Sequence, residues 1–362
     1  MKLNVAKSRA LPIGIDLGSS SVRVAQLRRS GEKVELMAVA QVETPAEAAA
    51  GGMSTDQIAQ DLRALLRSRG FVGRQCILSL PASQVFVRHV RIPRQSVSDL
   101  GAAVQAELAD KLPFDLGQAI IRPVVAGELL ADKDTLEVIA FAASRKAVEA
   151  QLDLADRCKL EPVGVDVAAC AILECFSRLF RRSEDSQHTN MFLDLGQVNT
   201  QVVIAHGTKM VFARNLPQGS SDLSKAAAAL LKVEPAQVES LRRKLLSAEE
   251  SPAYAHDLYA AMGGALEGLV LEISKCVHYY DSLFPSQQVE RALFLGGQAR
   301  DRRLCQSIAQ KLNVPSSVGD PLARMDRSDL TQTDLGADRR QAQPAWAVAV
   351  GLGLGSEITD AA

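Results

Sequence analysis

The 362-residue chain has few aromatic residues and no excess of charge of either sign. It contains 10 Phe, 4 Tyr and 1 Trp, and its 41 basic residues are balanced by 42 acidic ones. Proteins that bind nucleic acid need a basic surface for the phosphates, and those that bind single strands add aromatic side chains on which bases stack. The composition favours neither. We therefore expect a globular protein that does not bind nucleic acid and is long enough for two domains.

Cysteine is also sparse, and its spacing argues against a zinc site or a disulfide framework. The six cysteines lie far apart and form no Cys-x-x-Cys pair, and the five histidines make no ligand cluster with them. Buried thiols in a reducing compartment are the expectation.

Long hydrophobic runs are absent as well. Residues 1–11 are basic but contain no apolar segment of signal-peptide length. The longest uncharged apolar stretch, 345–355, is short and rich in glycine, whereas a membrane-spanning helix needs about 20 apolar residues. We expect a cytoplasmic protein, and any membrane association must come through a partner.

The chain does contain one short phrase twice, Asp16-Leu17-Gly18-Ser19-Ser20-Ser21 and Asp194-Leu195-Gly196-Gln197-Val198-Asn199-Thr200. Each copy follows an apolar run and precedes β-branched residues, which predicts a strand, a tight turn and a second strand. Glycine lets successive N–H groups in such a turn point into one concavity that attracts oxyanions. An aspartate at the strand end is suited to a hydrated Mg²⁺. An ordinary hairpin of an α/β protein is the alternative for each copy.

A third stretch, Leu293 to Arg300, contains two successive glycines. The residues up to Leu295 predict a strand, and the apolar spacing beyond Arg300 predicts a helix. Gly296-Gly297 between them would allow a planar base or ribose to approach the main chain closely. A plain strand-to-helix turn is the alternative.

In this order and spacing, the three stretches resemble the first phosphate loop, the second phosphate loop and the adenosine loop of the actin-like ATPase superfamily. Other segments resemble the type IV pilus assembly PilM family: residues 78–88, Arg91-Ile92-Pro93, 107–114, 138–166 and Asp320-Pro321. The resemblance extends from about Ile13 to Gly355. It implies an α/β, actin-like (ribonuclease H-like) two-lobe fold with a nucleotide cleft and the inserted subdomain that this family shares with the division protein FtsA.

The resemblance also implies how the chain divides. The first lobe is expected over 10–185, with a core subdomain at 10–81 and 164–185 and the inserted subdomain at 82–163. The second lobe is expected over 190–357, with a core subdomain at 190–219 and 289–357 and a helical subdomain at 220–288.

ATP and Mg²⁺ are the ligands that the resemblance implies for the cleft. Asp16 and Asp194 would face the metal ion. The expected nucleotide contacts are Asp16, Gly18, Ser19, Ser20, Ser21, Asp194, Gly196, Gln197, Asn199, Thr200, Gly296, Gly297 and Gln298.

The second phosphate loop departs from that of the heat-shock chaperones in the superfamily, which reads Asp-Leu-Gly-Gly-Gly-Thr-x-Asp. Gln197 and Val198 replace two glycines, and Gln201 stands where the chaperones have the second aspartate. The carboxylate left nearby is Asp166, on a helix predicted over 165–176. Because hydrolysis needs a group that orients the attacking water, Asp166 and Gln201 are the catalytic candidates, and weak or absent ATPase activity is expected.

Members of the pilus family bind the N-terminal cytoplasmic tail of the inner-membrane protein PilN in a groove between the first subdomain and the inserted one. The resemblance implies a PilN-like partner here. The groove would draw on Gln84–Arg94 and on the region around Val104–Leu112, within a helix predicted over Ser98–Leu112 with Ser98 as its N-cap. Self-association is left open.

Three alternatives remain at this point. An FtsA-like division protein would end in a basic amphipathic helix, whereas the last residues here are acidic. A type II secretion component of the GspL kind would continue into a transmembrane span. A small-molecule kinase of the superfamily would need a catalytic carboxylate in the cleft.

Overall fold

The structure is a computed structural model that describes residues 9–31, 33–43, 55–129, 132–179, 187–247, 252–327, 332–335 and 338–355. The predicted ends of the two lobes, at residues 185 and 357, lie outside these ranges. Within them the strands are β1 (Arg9–Leu17), β2 (Ser21–Ser30), β3 (Lys33–Glu43), β4 (Gln75–Leu80), β5 (Phe86–Pro93), β6 (Ala119–Leu129), β7 (Asp132–Ser144), β8 (Glu161–Val167), β9 (Thr189–Leu195), β10 (Thr200–His206), β11 (Lys209–Leu216), β12 (Arg291–Leu295) and β13 (Ser316–Val318).

The helices in the same ranges are α1 (Thr55–Ser68), α2 (Leu100–Leu108), α3 (Arg145–Arg157), α4 (Ala168–Ser177), α5 (Ser220–Leu231), α6 (Pro235–Ser247), α7 (Ala255–Leu283), α8 (Arg302–Leu312), α9 (Gln332–Leu335) and α10 (Ala347–Leu354).

Two five-stranded sheets repeat one topology. Their strand orders are β3-β2-β1-β4-β8 and β11-β10-β9-β12-β13. In each sheet, three consecutive strands form an antiparallel meander, and two later strands add in parallel beside the first strand of that meander. The two repeated phrases therefore occupy the same place, at the end of the first strand of each sheet and in the turn that follows.

Two apolar helices lie between these sheets. α10 is built wholly from Ala, Val, Leu and Gly, and all eight of its residues are buried, while α4 is mainly apolar with Glu174 and Ser177 as its polar residues. The largest cluster of buried apolar side chains runs from the first sheet through these helices to the second sheet. Because burial on all sides requires an apolar helix surface all round, the composition of α10 fits its central position.

A third sheet, of order β5-β7-β6, is fully antiparallel and lies within the predicted inserted subdomain. The helix α3 that follows it packs on the first sheet, since Leu154 and Ala155 share a buried cluster with Ile13 and Leu78. The outer boundary of the insert at residue 163 stays a prediction.

The third sheet also contacts the second lobe through a buried polar group. Glu137 of β7 is fully buried, and one of its oxygens lies 2.9 Å from Nδ1 of His89 and accepts a hydrogen bond of 3.1 Å from the hydroxyl of Tyr279 on α7. The ring of His89 stacks on Phe212 of β11 at 4.8 Å between centroids. The inserted sheet is thus in contact with both lobes.

Two predicted helices differ in the structure. The helix predicted over 98–112 is reduced to α2, because Arg94–Asp99 forms a 3₁₀ turn and the side chain of Asp99 accepts the Ala102 amide at 3.2 Å as the N-cap. Asp99, one residue after Ser98, is an equally favoured cap. The helix predicted over 165–176 begins only at Ala168, because β8 continues in parallel pairing with β4 as far as Val167.

Gly351 of α10 tests how tightly the central helices pack. A methyl group at this position would overlap the carbonyl oxygen of Ala171 on α4. Overpacking of a rigid core costs about 1–3 kcal/mol, so we expect Gly351→Ala to lower the free energy of unfolding by about 2 kcal/mol, measured by urea denaturation.

The matched control is Gly264→Ala, on the exposed side of α7, where a methyl group meets nothing within 4 Å. Alanine is favoured over glycine in a helix by roughly 0.5–1 kcal/mol, so this variant should be slightly stabilised. Equal unfolding midpoints for the two variants would show that the α4–α10 contact is looser than described.

Candidate functional site

The first phosphate hairpin is the turn between β1 and β2. The amide of Gly18 donates to the carbonyl of Ser21 at 3.1 Å, and a Cβ on Gly18 would lie 2.9 Å from that oxygen, so the turn needs glycine. Ser79 of β4 accepts the Leu17 amide at 3.0 Å and donates to Asp16 at 3.3 Å. These bonds fix Asp16 at the end of β1. Ser19 is half-buried and Ser20 is exposed at the tip.

The second hairpin, between β9 and β10, repeats this geometry. The amide of Gly196 donates to the carbonyl of Asn199 at 3.0 Å, and a Cβ on Gly196 would lie 2.7 Å from that oxygen. Thr200 opens β10 opposite Leu195. The start of α5 covers the turn, since the amide of Ser221 donates to Gln197 at 2.8 Å. The replacement of two glycines therefore leaves the turn itself unchanged.

The di-glycine corner lies against the second hairpin. Gly296 has φ of +81°, which is strained for any other residue, and a Cβ there would overlap the carboxylate of Asp194. A Cβ on Gly297 would lie 3.9 Å from Nη2 of Arg23, a side chain of the first lobe. The three predicted loops therefore converge on one cleft between the two sheets.

Arg23 is the cleft residue that the sequence patterns did not single out. It lies on β2 directly opposite Asp16 in the hairpin register. Burial lowers its pKa, and the attraction of Asp16 and Asp194 opposes this shift. Its Nε has no hydrogen-bond partner within the described residues. The signal that could have found it is the hairpin itself, because the residue opposite Asp16 must emerge beside the turn.

The ionised forms of the two cleft aspartates, Asp16 and Asp194, are unfavourable. Burial raises the pKa of Asp16, and the nearby charge of Arg23 partly offsets the effect. Burial and then the charge of Asp16 raise the pKa of Asp194 to about 7. Two carboxylates that share one arginine in a low-dielectric cleft cannot both ionise at ordinary cost.

The donor set fits a hard cation bound together with phosphate. Asp16 and Asp194 offer carboxylate oxygens, and the hairpin turns offer glycine-lined cradles. In the described ranges, no group of three or more acidic, His or Cys side chains could hold a metal by itself. Water and phosphate oxygens would therefore have to complete the shell, as is usual for Mg²⁺.

The two catalytic candidates lie on different sheets. Asp166 ends β8 beside Ser79, accepts the Val167 amide at 2.7 Å, and has its pKa raised by burial. Gln201 of β10 is directly opposite Asp194 in register and only 6% exposed. Their catalytic role stays a prediction.

Gln298 of the di-glycine corner is hydrogen-bonded to a buried arginine. Its Oε1 accepts a hydrogen bond of 2.8 Å from Nη2 of Arg242, a residue of α6 that is 7% exposed. Arg242 also donates to the carbonyl of Ser220 at 3.0 Å and to the hydroxyl of Ser224 at 3.2 Å. A single buried arginine thus ties the corner to the predicted helical subdomain. No sequence pattern marks Arg242, since α6 reads as an ordinary amphipathic helix.

Two sheets of one topology, with paired hairpins and a di-glycine corner around a cleft, define a two-lobed protein of actin-like fold, as predicted. Among solved structures the chain is similar to the PilM-PilN type IV pilus biogenesis complex, with a TM-score of 0.76, 21% identity, and coverage of 95% of this chain and 97% of that one. It is also similar to the ethanolamine utilization protein EutJ from Carboxydothermus hydrogenoformans, with a TM-score of 0.55, 13% identity, and coverage of 96% and 89%.

The profile of the type IV pilus assembly protein PilM family matches residues 14–357. The chain belongs to this family, which confirms the resemblance found in its motifs. None of the helices in the described part of the chain combines the length and the apolar character that a membrane span requires.

The raised pKa of Asp194 predicts a pH-dependent stability. Because the pKa rises from an ordinary value near 4 to about 7 in the folded chain, the folded state binds more protons between these values and its stability falls as pH rises through them. Asp194→Asn removes the titrating carboxyl group and therefore this loss of stability at high pH. The nucleotide-free variant should be more stable than the wild type by roughly 4 kcal/mol at pH 8 and by roughly 1.5 kcal/mol at pH 5.

Chemical denaturation of nucleotide-free protein at the two pH values measures the difference. The control is Asp132→Asn, an exposed residue whose pKa is lowered by its hydrogen bond from Thr135, which should give no gain at pH 8. A gain for Asp194→Asn of equal size at pH 5 and pH 8 would contradict the shift.

Proposed function

We propose that this chain binds ATP with Mg²⁺ in the interlobe cleft and acts in the cytoplasm as a nucleotide-dependent scaffold of type IV pilus assembly, holding the N-terminal tail of a PilN-like inner-membrane protein. The observation that carries the proposal is the convergence of both hairpins and the di-glycine corner on one cleft. It joins Asp16 and Arg23 of one lobe to Asp194 and Gly297 of the other.

The residues have separate roles in this proposal. The hairpin turns, from Gly18 to Ser21 and from Gly196 to Thr200, would hold the phosphates with backbone amides and hydroxyls. Asp16 and Asp194 would hold hydrated Mg²⁺, which supplies positive charge to offset that of the phosphates. Arg23 lies between the carboxylates and would also face a phosphate. The di-glycine corner would face the nucleoside.

ATP would serve chiefly as a ligand that fixes the relative orientation of the lobes. A bound ligand favours one state of a protein only by its difference in affinity between the states. Here the contacts would come from both lobes, so a closed arrangement gains all of them. Gln201 in place of a second aspartate supports weak or absent hydrolysis, with Asp166 as the other candidate for orienting water.

Two grooves border the inserted sheet, and both contain residues predicted to meet the tail. The smaller, of about 370 Å³, is lined by Ser83, Gln84, Val85, Phe86, Pro113, Phe114, Ser144, Lys146, Ala147 and Ala150. The larger, of about 670 Å³, is lined by Arg91, Pro93, Glu107, Leu129, Asp132, Thr135, Ser282, Leu283 and Pro285. Residues 84–94 contribute to both, whereas 104–112 contributes Glu107 to the larger groove.

The smaller groove is the better site for the tail. Its lining residues all lie between 83 and 150, within the predicted insert, and it borders the first core subdomain through α3, which packs on the first sheet. Its walls are mainly apolar, with Lys146 as the charged member. A peptide in this groove would bury apolar side chains, and its extended backbone would form main-chain hydrogen bonds. The solved PilM-PilN complex, similar over 95% of this chain, supports a tail of this kind.

Nucleotide binding is tested by calorimetric titration of Mg-ATP into protein freed of nucleotide. We expect Asp16→Ala to abolish binding and Arg23→Ala to weaken it at least tenfold, because each removes a group that faces the phosphate or its metal. Asp110→Ala, on the exposed surface near α2, is the control and should bind as the wild type does. If Asp16→Ala binds Mg-ATP as tightly as the wild type does, the nucleotide site lies elsewhere on the protein.

Tail binding is tested with a labelled peptide of the N-terminal cytoplasmic residues of the PilN-like protein, measured by fluorescence anisotropy. Ala150 is exposed on α3 and lines the smaller groove, so Ala150→Arg should fill it and lower the affinity about tenfold, or roughly 1.4 kcal/mol. Ser282→Arg fills the larger groove in the same way and should change little. The reverse result would place the tail in the larger groove.

A further inference from the structure

Asn215 links the second lobe to a wall of the smaller groove. It lies near the end of β11, and its side-chain amide donates to the carbonyls of Ala82 and Val85, both at 3.2 Å. Residues Ala82–Gln84 form a 3₁₀ turn in which the Val85 amide donates to Ala82 at 3.2 Å. One Asn side chain therefore holds both ends of this turn. We call residues 82–85 the groove turn.

The same end of this strand leads into the segment that covers the second phosphate hairpin. β11 ends at Leu216, opposite Thr200 in register. Three residues later, Gly219 lies so close to Gln197 that a Cβ would overlap its carbonyl oxygen. The amide of Ser220 then donates to the carbonyl of Gly196 at 3.1 Å. The backbone of the phosphate loop and the side chain of Asn215 are thus connected through one short, hydrogen-bonded segment.

The space around Asn215 is too small to absorb a displacement. Asn215 pairs with Gln201 in the sheet, and both line a cavity of about 10 Å³ together with Ala82, Val85 and Val167. A cavity of that volume is no larger than a single water molecule needs. Because closely packed interiors transmit strain rather than dissipate it, a shift of β10 and β11 would move the groove turn.

We propose that Asn215 is a positioning residue that couples occupancy of the second phosphate loop to the geometry of the groove turn, and so to the affinity for the tail. The coupling to the tail rests on the function proposed above. The coupling to the groove turn rests only on the nucleotide binding proposed there. Because a coupling between two binding sites is reciprocal, the tail should change the affinity for nucleotide by the same factor.

The first experiment uses the full chain without any peptide. Hydrogen exchange of the backbone amides of Gln84 and Val85, which donate within the groove turn, is measured with and without saturating Mg-AMPPNP. In the wild type we expect nucleotide to slow exchange at least fivefold. Asn215→Ala should reduce this effect below twofold while leaving the affinity for nucleotide within twofold of the wild type.

The matched control is Tyr279→Phe, which also removes one hydrogen bond between the second lobe and the inserted sheet, that of its hydroxyl to Glu137. It does not touch the groove turn and should keep the full nucleotide effect. An Asn215→Ala variant that retains the wild-type effect, or a wild type whose groove turn ignores nucleotide, overturns the proposal.

The second experiment measures the ratio of tail-peptide affinities with and without Mg-AMPPNP. A coupling of about 5-fold or more is typical of linked sites, so we expect at least that in the wild type and in Tyr279→Phe, and less than twofold in Asn215→Ala. A peptide that fails to bind any variant removes the proposed partner, while the exchange result still decides the role of Asn215. Equal ratios in wild type and Asn215→Ala overturn the coupling.

Discussion

The cleft depends on one electrostatic constraint, that two partly buried carboxylates from different lobes face a single arginine. Asp16 and Asp194 both have raised pKa values, and burial is the main cause of each. Arg23 lowers both, yet its own pKa is lowered by the same burial. Buried charges of this kind are costly unless they are fully paired. These charges are incompletely paired without a ligand. A bound cation would pair with the two carboxylates, and a phosphate would pair with the arginine.

This constraint follows from the repeated sheet topology. In each sheet, the next-to-last residue of the first strand is an aspartate. The glycine that follows the strand donates its amide hydrogen to the carbonyl of the residue three positions later. The central helices α4 and α10 pack the two sheets into one continuous apolar core. A rigid core holds the two hairpins at a fixed separation, whereas a change of that separation would have to move whole lobes. The fold therefore links the occupancy of the cleft to the relative position of the lobes.

The inserted sheet lies between the second lobe and the smaller surface groove. It contacts the second lobe through the buried Glu137 group and through Asn215, and it forms one wall of the groove assigned to the tail. Such an arrangement would let bound nucleotide regulate a scaffold protein without being hydrolysed. The proposed weak or absent hydrolysis agrees with this view, since Gln201 stands where the chaperone pattern has its second carboxylate and lines a small cavity with residues of the first lobe.

The sequence by itself determined the motifs, their order and the family, because glycines and aspartates at strand ends are local features that a pattern can reveal. It predicted the actin-like fold and the strand on each side of both phosphate loops. It did not reveal Arg242 or the Asn215 link, nor the approach of Arg23 to Asp194 and Gly297, since each of these interactions joins residues far apart in the chain. It also placed Asp166 in a helix, where pairing with β4 keeps it in a strand. Only the tertiary structure decided these points, because the partners of a side chain depend on which strands and helices come together.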